Sequence, residues 1–325
     1  MTVRVGMVGC GGIAKWHTSH LEKMDDVQIV ATCDIIPERA KEMAKLYGAT
    51  PYDSHLPMYE KENLDAVFVC IPPGSHTDTE TAAVEKGINI FVEKPMCLSM
   101  AKAKEVAKAI EKAGVVSAVG FQDRYLDIID SLRTFIEDKQ IGLFTGAWVG
   151  GMPTVPWWRV KAESGGQIVE QTIHLYDLAR LLFGEVETVY AAAGKGIMTG
   201  IENYDVEDYS SVVLTFDNGT IGNIITGDYL KDAVPRNGIE IYCEDARIEY
   251  ELRTAVRYHS RYLVREEKRI IDQGLRSDRT FIDAVKAKDP TMVRSPYRDA
   301  MRSLAVTLAA NESLETGKPI KVCYE

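Results

Sequence analysis

The sequence predicts an α/β first half on a doubly wound parallel sheet, followed by an α+β half with a large, predominantly antiparallel open sheet. Three observations lead there. Up to about residue 121, short apolar runs alternate with segments of helical periodicity, the pattern of a parallel sheet clad on both faces. Between about 186 and 252, β-type segments follow one another with no helix between them, and Asp217-Asn218-Gly219 marks a hairpin. Finally, 325 residues are more than one core ordinarily serves. The division is expected at 122/123, giving domains 1–122 and 123–325.

In the first domain, strands are expected near 3–8, 28–34, 65–71, 88–92 and 115–121, with helices near 12–24, 37–47, 77–86 and 99–113. Pro37 suits the first turn of its helix. In the second, a helix near 125–138 leads to an apolar run at 143–149, and another helix spans 166–183. Strands follow near 186–193, 208–216, 219–227, 238–243 and 246–252. Helices return near 275–287 and 297–315 before a short apolar end.

A net charge of −10 and the absence of any basic stripe argue against nucleic acid or an anionic membrane as partner. No apolar run reaches the roughly 20 residues of a membrane helix. The chain enters its first strand at once, leaving no room for a signal peptide. Six dispersed cysteines without a C-x-x-C pair suggest reduced thiols and a cytoplasmic setting. His17 and His20 are three apart, but no neighbouring acid or Cys defines a metal site, so no metal is expected.

The chemistry concentrates in a few segments. Gly9, Cys10, Gly11, Gly12, Ile13 and Ala14 follow the first strand as G-x-G-x-x-A. Gly9 permits the tight turn, Gly11 lets a pyrophosphate approach the backbone, and Ala14 lets helix and strand pack closely. The helix beginning at Gly12 would aim free N–H groups and its positive dipole end at phosphates. Asp34 closes the second strand, where a carboxylate accepts bonds from a ribose 2′-hydroxyl and repels a 2′-phosphate. Ile35 and Ile36 after it favour NAD, while Arg39 leaves NADP open.

Ile71-Pro72-Pro73 forms a stiff loop that can wall a nicotinamide ribose, or serve as a rigid connector, and His76 is expected to start the next helix. Glu93-Lys94-Pro95 ends the fourth strand. Proline keeps Lys94 extended and admits a cis bond. An ammonium here can stabilise charge developing on a substrate oxygen. Farther on, Glu170 and His174 are four apart, so one helix would put them on one face, with Asp177 close by. An imidazole beside a carboxylate can act as a general base near neutral pH. Phe121-Gln122-Asp123-Arg124-Tyr125 opens the second half. Trp157, Trp158 and Arg159 precede the histidine helix, as sugar-stacking rings and a clamp or as a hydrophobic plug.

With these motifs in place, the chain resembles the glucose–fructose oxidoreductase / inositol dehydrogenase / rhizopine-catabolism (Gfo/Idh/MocA) family over essentially its whole length. The carriers are the glycine turn, Pro72-Pro73-x-x-His76, Glu93-Lys94-Pro95, the Gly165-Gly166…His174 segment and the ending Ser313-Leu314-Glu315-Thr316-Gly317-Lys318-Pro319-Ile320. The resemblance implies a Rossmann domain binding NAD(P), and hydride exchange with a secondary alcohol of a sugar, inositol or related polyol. It implies Lys94 and His174 as the catalytic pair. The family's Asp four residues before the histidine falls on Glu170 here. Gln122 is implied at the nicotinamide, and Arg124 either at the substrate or in a structural ion pair. A homodimer or homotetramer through the second domain's sheet is implied as well. The same fold also admits redox-neutral elimination or glycoside cleavage, and a non-catalytic NAD-sensing role.

Overall fold

The computed structural model describes residues 2–324 and divides into two compact units. The first runs in the order β1 (Val3–Val8), α1 (Gly12–Leu21), β2 (Val27–Cys33), α2 (Pro37–Tyr47), β3 (Thr50–Tyr52), α3 (His55–Lys61), β4 (Ala66–Val69), α4 (Thr79–Glu85), β5 (Asn89–Val92), α5 (Met100–Ala113) and β6 (Ser117–Val119). All pairings are parallel, in the order β3-β2-β1-β4-β5-β6. Strands run outward from β1 in both directions, so β1 and β4 flank the point where the winding reverses. Ligands of such sheets sit there, beyond the carboxyl ends.

Apart from half-buried Arg4, the central strands are apolar, and Val3, Val5 and Met7 in β1 and all of Ala66–Val69 in β4 are fully buried. Burial on both faces explains the continuous, non-alternating runs. The expected elements are present, and α2 has the foreseen bounds. Short β3 and α3 were not expected. Three residues at a sheet edge leave too little pattern to read.

The second unit contains α6 (Asp127–Ile136), β7 (Ile141–Val149), α7 (Lys161–Ser164), α8 (Gln167–Glu170), α9 (Ile173–Phe183), β8 (Val186–Gly194), β9 (Tyr209–Phe216), β10 (Ile221–Gly227), β11 (Arg236–Cys243), β12 (Arg247–Glu251), β13 (Ala255–His259) and β14 (Val264–Lys268). After α10 (Gln273–Ala287) and α11 (Tyr297–Thr316), β15 (Ile320–Lys321) closes the sheet. Its order is β14-β13-β12-β11-β7-β10-β9-β8-β15, antiparallel except where β10 lies parallel to β7. Gly219, at φ +87°, takes the left-handed turn position between β9 and β10. Alternation puts Phe144, Ile224, Val212 and Ile241 on the buried face, where Phe144 stacks on Phe183 of α9 at 4.4 Å.

The expected boundary needs correction. The first unit extends to Tyr125 and also takes Asp272–Met301, so α10 and the start of α11 return to it. Buried Phe281, Ile282 and Val285 of α10 join the same apolar cluster as Val5, Phe68 and Phe91. No sequence period marks such a return, because helix amphipathicity does not say which sheet the helix covers.

Candidate active site

The first unit builds a nucleotide cradle from the ends of its strands. Gly9 sits at φ +84°, and a Cβ there would strike the carbonyl of Cys70, so only glycine fits. At Gly11 and Gly12, a Cβ would meet nothing within 4 Å, and the space stays open above the helix start. The first intrahelical bond runs from the Lys15 N–H to the Gly11 carbonyl, at 3.1 Å. The N–H groups before it are the unpaired donors of a helix end, suited to a pyrophosphate. Ile13 is exposed and Ala14 is fully buried at the helix–strand contact.

Asp34 stands at the carboxyl end of β2. Its Oδ2 accepts from the Cys10 N–H at 2.8 Å and its Oδ1 from the Ile36 N–H at 2.8 Å, fixing the carboxylate beside the turn. Each carboxylate oxygen retains a further lone pair for a ribose hydroxyl. Burial, with the charge of Asp34 beside it, pushes the Cys10 thiol up to about 12, so it is a neutral filler of the turn. These features fit a dinucleotide.

Across the same edge, the loop after β4 carries Ile71, Pro72 and a buried Pro73, and Pro73–Ser75 forms a 3₁₀ turn. His76 follows that turn and α4 begins only at Thr79, which corrects the expected helix start. Its Nδ1 lies 2.5 Å from Glu80 Oε1, and both side chains are buried. After β5, the Lys94–Pro95 bond is cis. Gln122 Oε1 accepts from Gln273 Nε2 at 3.0 Å. Neighbouring strands lie about 4.8 Å apart, so the turn after β5 lies about 10 Å from the glycine turn along one edge.

Arg124, one of the expected substrate contacts, is a structural ion-pair partner. Its guanidinium is buried 2.5 Å from Asp299 and donates to the Arg294 carbonyl at 2.9 Å. The acid that the sequence left unseen beside His17 and His20 is Asp278 of α10, 258 positions beyond His20. His17 Nδ1 lies 2.9 Å from Asp278 Oδ1, and its Nε2 lies 3.0 Å from Glu93 Oε1. Burial pulls this imidazole down, but the charges and hydrogen bonds of Asp278 and Glu93 outweigh it and push His17 up to about 10 from 6.5. The resulting stabilisation is complete below pH 6.5, declines as pH rises, and is gone above about 10. Thermal melts across that window should show a falling Tm, and Asp278→Asn should flatten the slope. An unchanged slope in the variant would contradict this reading.

In the second unit, the expected single helix over 166–183 is broken. The Thr172 N–H reaches back five residues to the Gln167 carbonyl at 3.0 Å, while its hydroxyl donates to Gln167 and Ile168. The register slips between α8 and α9, so Glu170 ends one short helix and His174 lies in the first turn of the next. Glu170 Oε2 accepts from Trp158 Nε1 at 2.8 Å. Trp158 is fully buried and cannot stack on a sugar, which corrects that expectation; Trp157 is partly exposed. Arg159 keeps a buried Nε without a hydrogen bond.

His174 lies in the first turn of α9, 4% exposed, its ring stacked on Trp148 of β7 at 6.0 Å and 17°. Asp177 accepts from Ser303 at 2.7 Å, and Ser303 accepts from Arg180 at 2.7 Å. By register, Thr226 of β10 and Asn237 of β11 lie beside Trp148. Asn237 Oδ1 is buried and unbonded. Nearby in sequence, burial pushes Asp228 up to about 6, with a hydrogen bond from Tyr204 at 2.9 Å opposing the shift. Trp148, Asn237 and Asp228 were not foreseen, because only strand register reveals them.

A phosphate-ready glycine turn and a ribose-facing carboxylate on a doubly wound sheet define an NAD-dependent dehydrogenase. The chain belongs to the Gfo/Idh/MocA family. Residues 3–121 match the model of the oxidoreductase family with an NAD-binding Rossmann fold, and residues 130–249 match the family's C-terminal domain. It is similar to myo-inositol 2-dehydrogenase of Thermotoga maritima, with 29% identity covering 98% of each chain. Inositol 2-dehydrogenase of Rhizobium meliloti shares 30% identity over 65% of this chain and 64% of its own. The WlbA dehydrogenase of Bordetella pertussis, solved with NADH and UDP-GlcNAcA, has the same fold, with TM-score 0.86, 24% identity and 99% of each chain covered. Among the described residues, no helix is long and apolar enough to cross a membrane.

Proposed function

We propose that this protein oxidises a secondary alcohol of an inositol or related sugar, reversibly, with NAD. The observation that carries the reading is the shared edge of the first sheet. The glycine turn after β1, the proline loop after β4 and the Glu93-Lys94-Pro95 turn after β5 follow one another along it. Asp34 would hold the adenosine ribose and the N–H groups at the start of α1 the pyrophosphate, with Lys94 farther along the same edge. Similarity to the myo-inositol 2-dehydrogenase of Thermotoga maritima along nearly the whole chain supports the substrate class.

When bound, the nicotinamide accepts or returns the hydride. Lys94 donates a hydrogen bond to the reacting oxygen and stabilises its developing charge. His174 takes the hydroxyl proton during oxidation and returns it during reduction. Glu170, which accepts a hydrogen bond from Trp158, tunes or positions the catalytic pair. Accumulation of NADH in stoichiometric amount with an inositol or aldose tests the assignment. Turnover of a sugar without net NADH would favour redox-neutral elimination or glycoside cleavage.

Asp34→Ala should weaken NAD binding and narrow its advantage over NADP by about tenfold, since each lost charged hydrogen bond is worth about 1.5–3 kcal/mol. Titration of both nucleotides checks this, and an unchanged ratio would count against the role of Asp34. The face of the second sheet bearing Leu143, Tyr190, Val213, Ile221 and Tyr242, each 36–46% exposed, is the assembly surface of a homodimer or homotetramer. Ile221→Asp should dissociate it in light scattering. A reducing, cytoplasmic setting suits the free thiols of Cys10, Cys33, Cys70, Cys97 and Cys243.

A further inference from the structure

The buried cluster around His17 plays no part in the steps above, yet its hydrogen bonds end on the backbone of Lys94. His17 donates from one ring nitrogen to Asp278 and from the other to Glu93 Oε1, at 2.9 and 3.0 Å. Glu93 Oε2 accepts the Lys94 N–H at 3.2 Å. All four residues lie in the first unit, and His17, Asp278 and Glu93 are at most 6% exposed. We infer that His17 is a positioning residue for Lys94. Bonded at both ring nitrogens, it fixes the Glu93 carboxylate against α10, and Glu93 in turn fixes the Lys94 backbone.

Three features favour this over simple core filling. First, two acceptor carboxylates at opposite ends of one ring require a proton on each nitrogen, so the imidazolium neutralises charge that burial would make costly. The upward shift of His17 agrees with that arrangement. Second, the space for Glu93 is reserved. Gly120 lies beside it, and a Cβ there would strike the carboxylate. Third, the ring is packed among aromatics, edge-on to Trp16 and Phe91 at 4.9 and 5.0 Å and 5.3 Å from Phe68. The titratable groups facing the cluster are His20 from α1, which bonds Asp278 at 2.8 Å, Cys70 after β4, Glu93 after β5 and Asp278 from α10. Burial, with the charges of Glu93 and Asp278, pushes the Cys70 thiol well up, so it stays neutral.

A carboxylate held this way gives the turn a single geometry, and misplacement of a reacting group by about 1 Å costs about a hundredfold in rate. The inference rests on Lys94 contacting the substrate oxygen. The test uses the full chain as His17→Gln, Asp278→Asn, Lys94→Ala and the His17→Gln/Lys94→Ala double variant. Measurements are kcat, KM, NADH affinity and the ¹⁵N spectrum of the histidines without nucleotide. The wild-type His17 ring is expected to carry both protons to about pH 9 and to lose one in Asp278→Asn. His17→Gln should lower kcat about 10- to 100-fold while NADH affinity stays within about twofold. In the Lys94→Ala background, the same change should cost less than about threefold. An equal loss in both backgrounds, or a singly protonated ring at neutral pH, would overturn the inference while leaving the role of Lys94 intact. If Lys94→Ala keeps wild-type turnover, the functional reading itself fails, and this inference with it. Should His17→Gln not fold, Asp278→Asn carries the same kinetic comparison.

Discussion

Exchange of His174 for alanine is expected to lower kcat by about 10²- to 10⁴-fold, the usual contribution of a general base. NADH affinity should barely change. The side chain sits in the first turn of α9, nearly buried and stacked on Trp148, so its ring is held in one plane. It lies in the second unit, whereas the glycine turn lies in the first, so loss of the ring leaves the cradle intact. His174→Asn keeps a polar group but cannot take a proton near neutral pH. Both variants should therefore lose the acidic limb of the kcat/KM profile. Steady-state rates across pH check this, and a variant that retains the limb would move the base elsewhere.

Exchange of Lys94 for alanine should cost about 10²- to 10³-fold in kcat, the scale for removing one donor aimed at developing charge. Within the turn, the Glu93 carboxylate accepts the Lys94 N–H at 3.2 Å. Arginine should not restore the rate, since a wider planar group with a fixed fork does not reproduce a compact ammonium. Nucleotide titration separates this loss from weakened binding. A Lys94→Ala chain with wild-type kcat would exclude the ammonium from the chemistry.

What the sequence made legible was local. The glycine turn, Asp34, the Pro72-Pro73 loop and Glu93-Lys94-Pro95 each depend on backbone demands that neighbouring residues reveal. What stayed hidden depends on distant partners. Arg124 reads equally as a substrate contact or a structural ion-pair partner until Asp299 and the Arg294 carbonyl are found beside it. Trp158 reads equally as a stacking ring or a hydrophobic plug until its ring is found fully buried, with its indole N–H on Glu170. The break before α9 comes from one threonine whose hydroxyl and N–H both turn back on the preceding carbonyls. Helical periodicity survives such a slip, so the apolar pattern gave no warning. The return of α10 to the first sheet, and with it Asp278, is a matter of topology that no local pattern encodes.

The most direct test of hydride transfer is to incubate the purified chain with NAD and inositols or aldoses deuterated at their ring carbons, then isolate the nucleotide. NADH carrying one deuterium at the nicotinamide C4 is expected, formed together with a ketone and suppressed in His174→Ala and Lys94→Ala. Sugar turnover that leaves no deuterium on the nucleotide at any stage would contradict it.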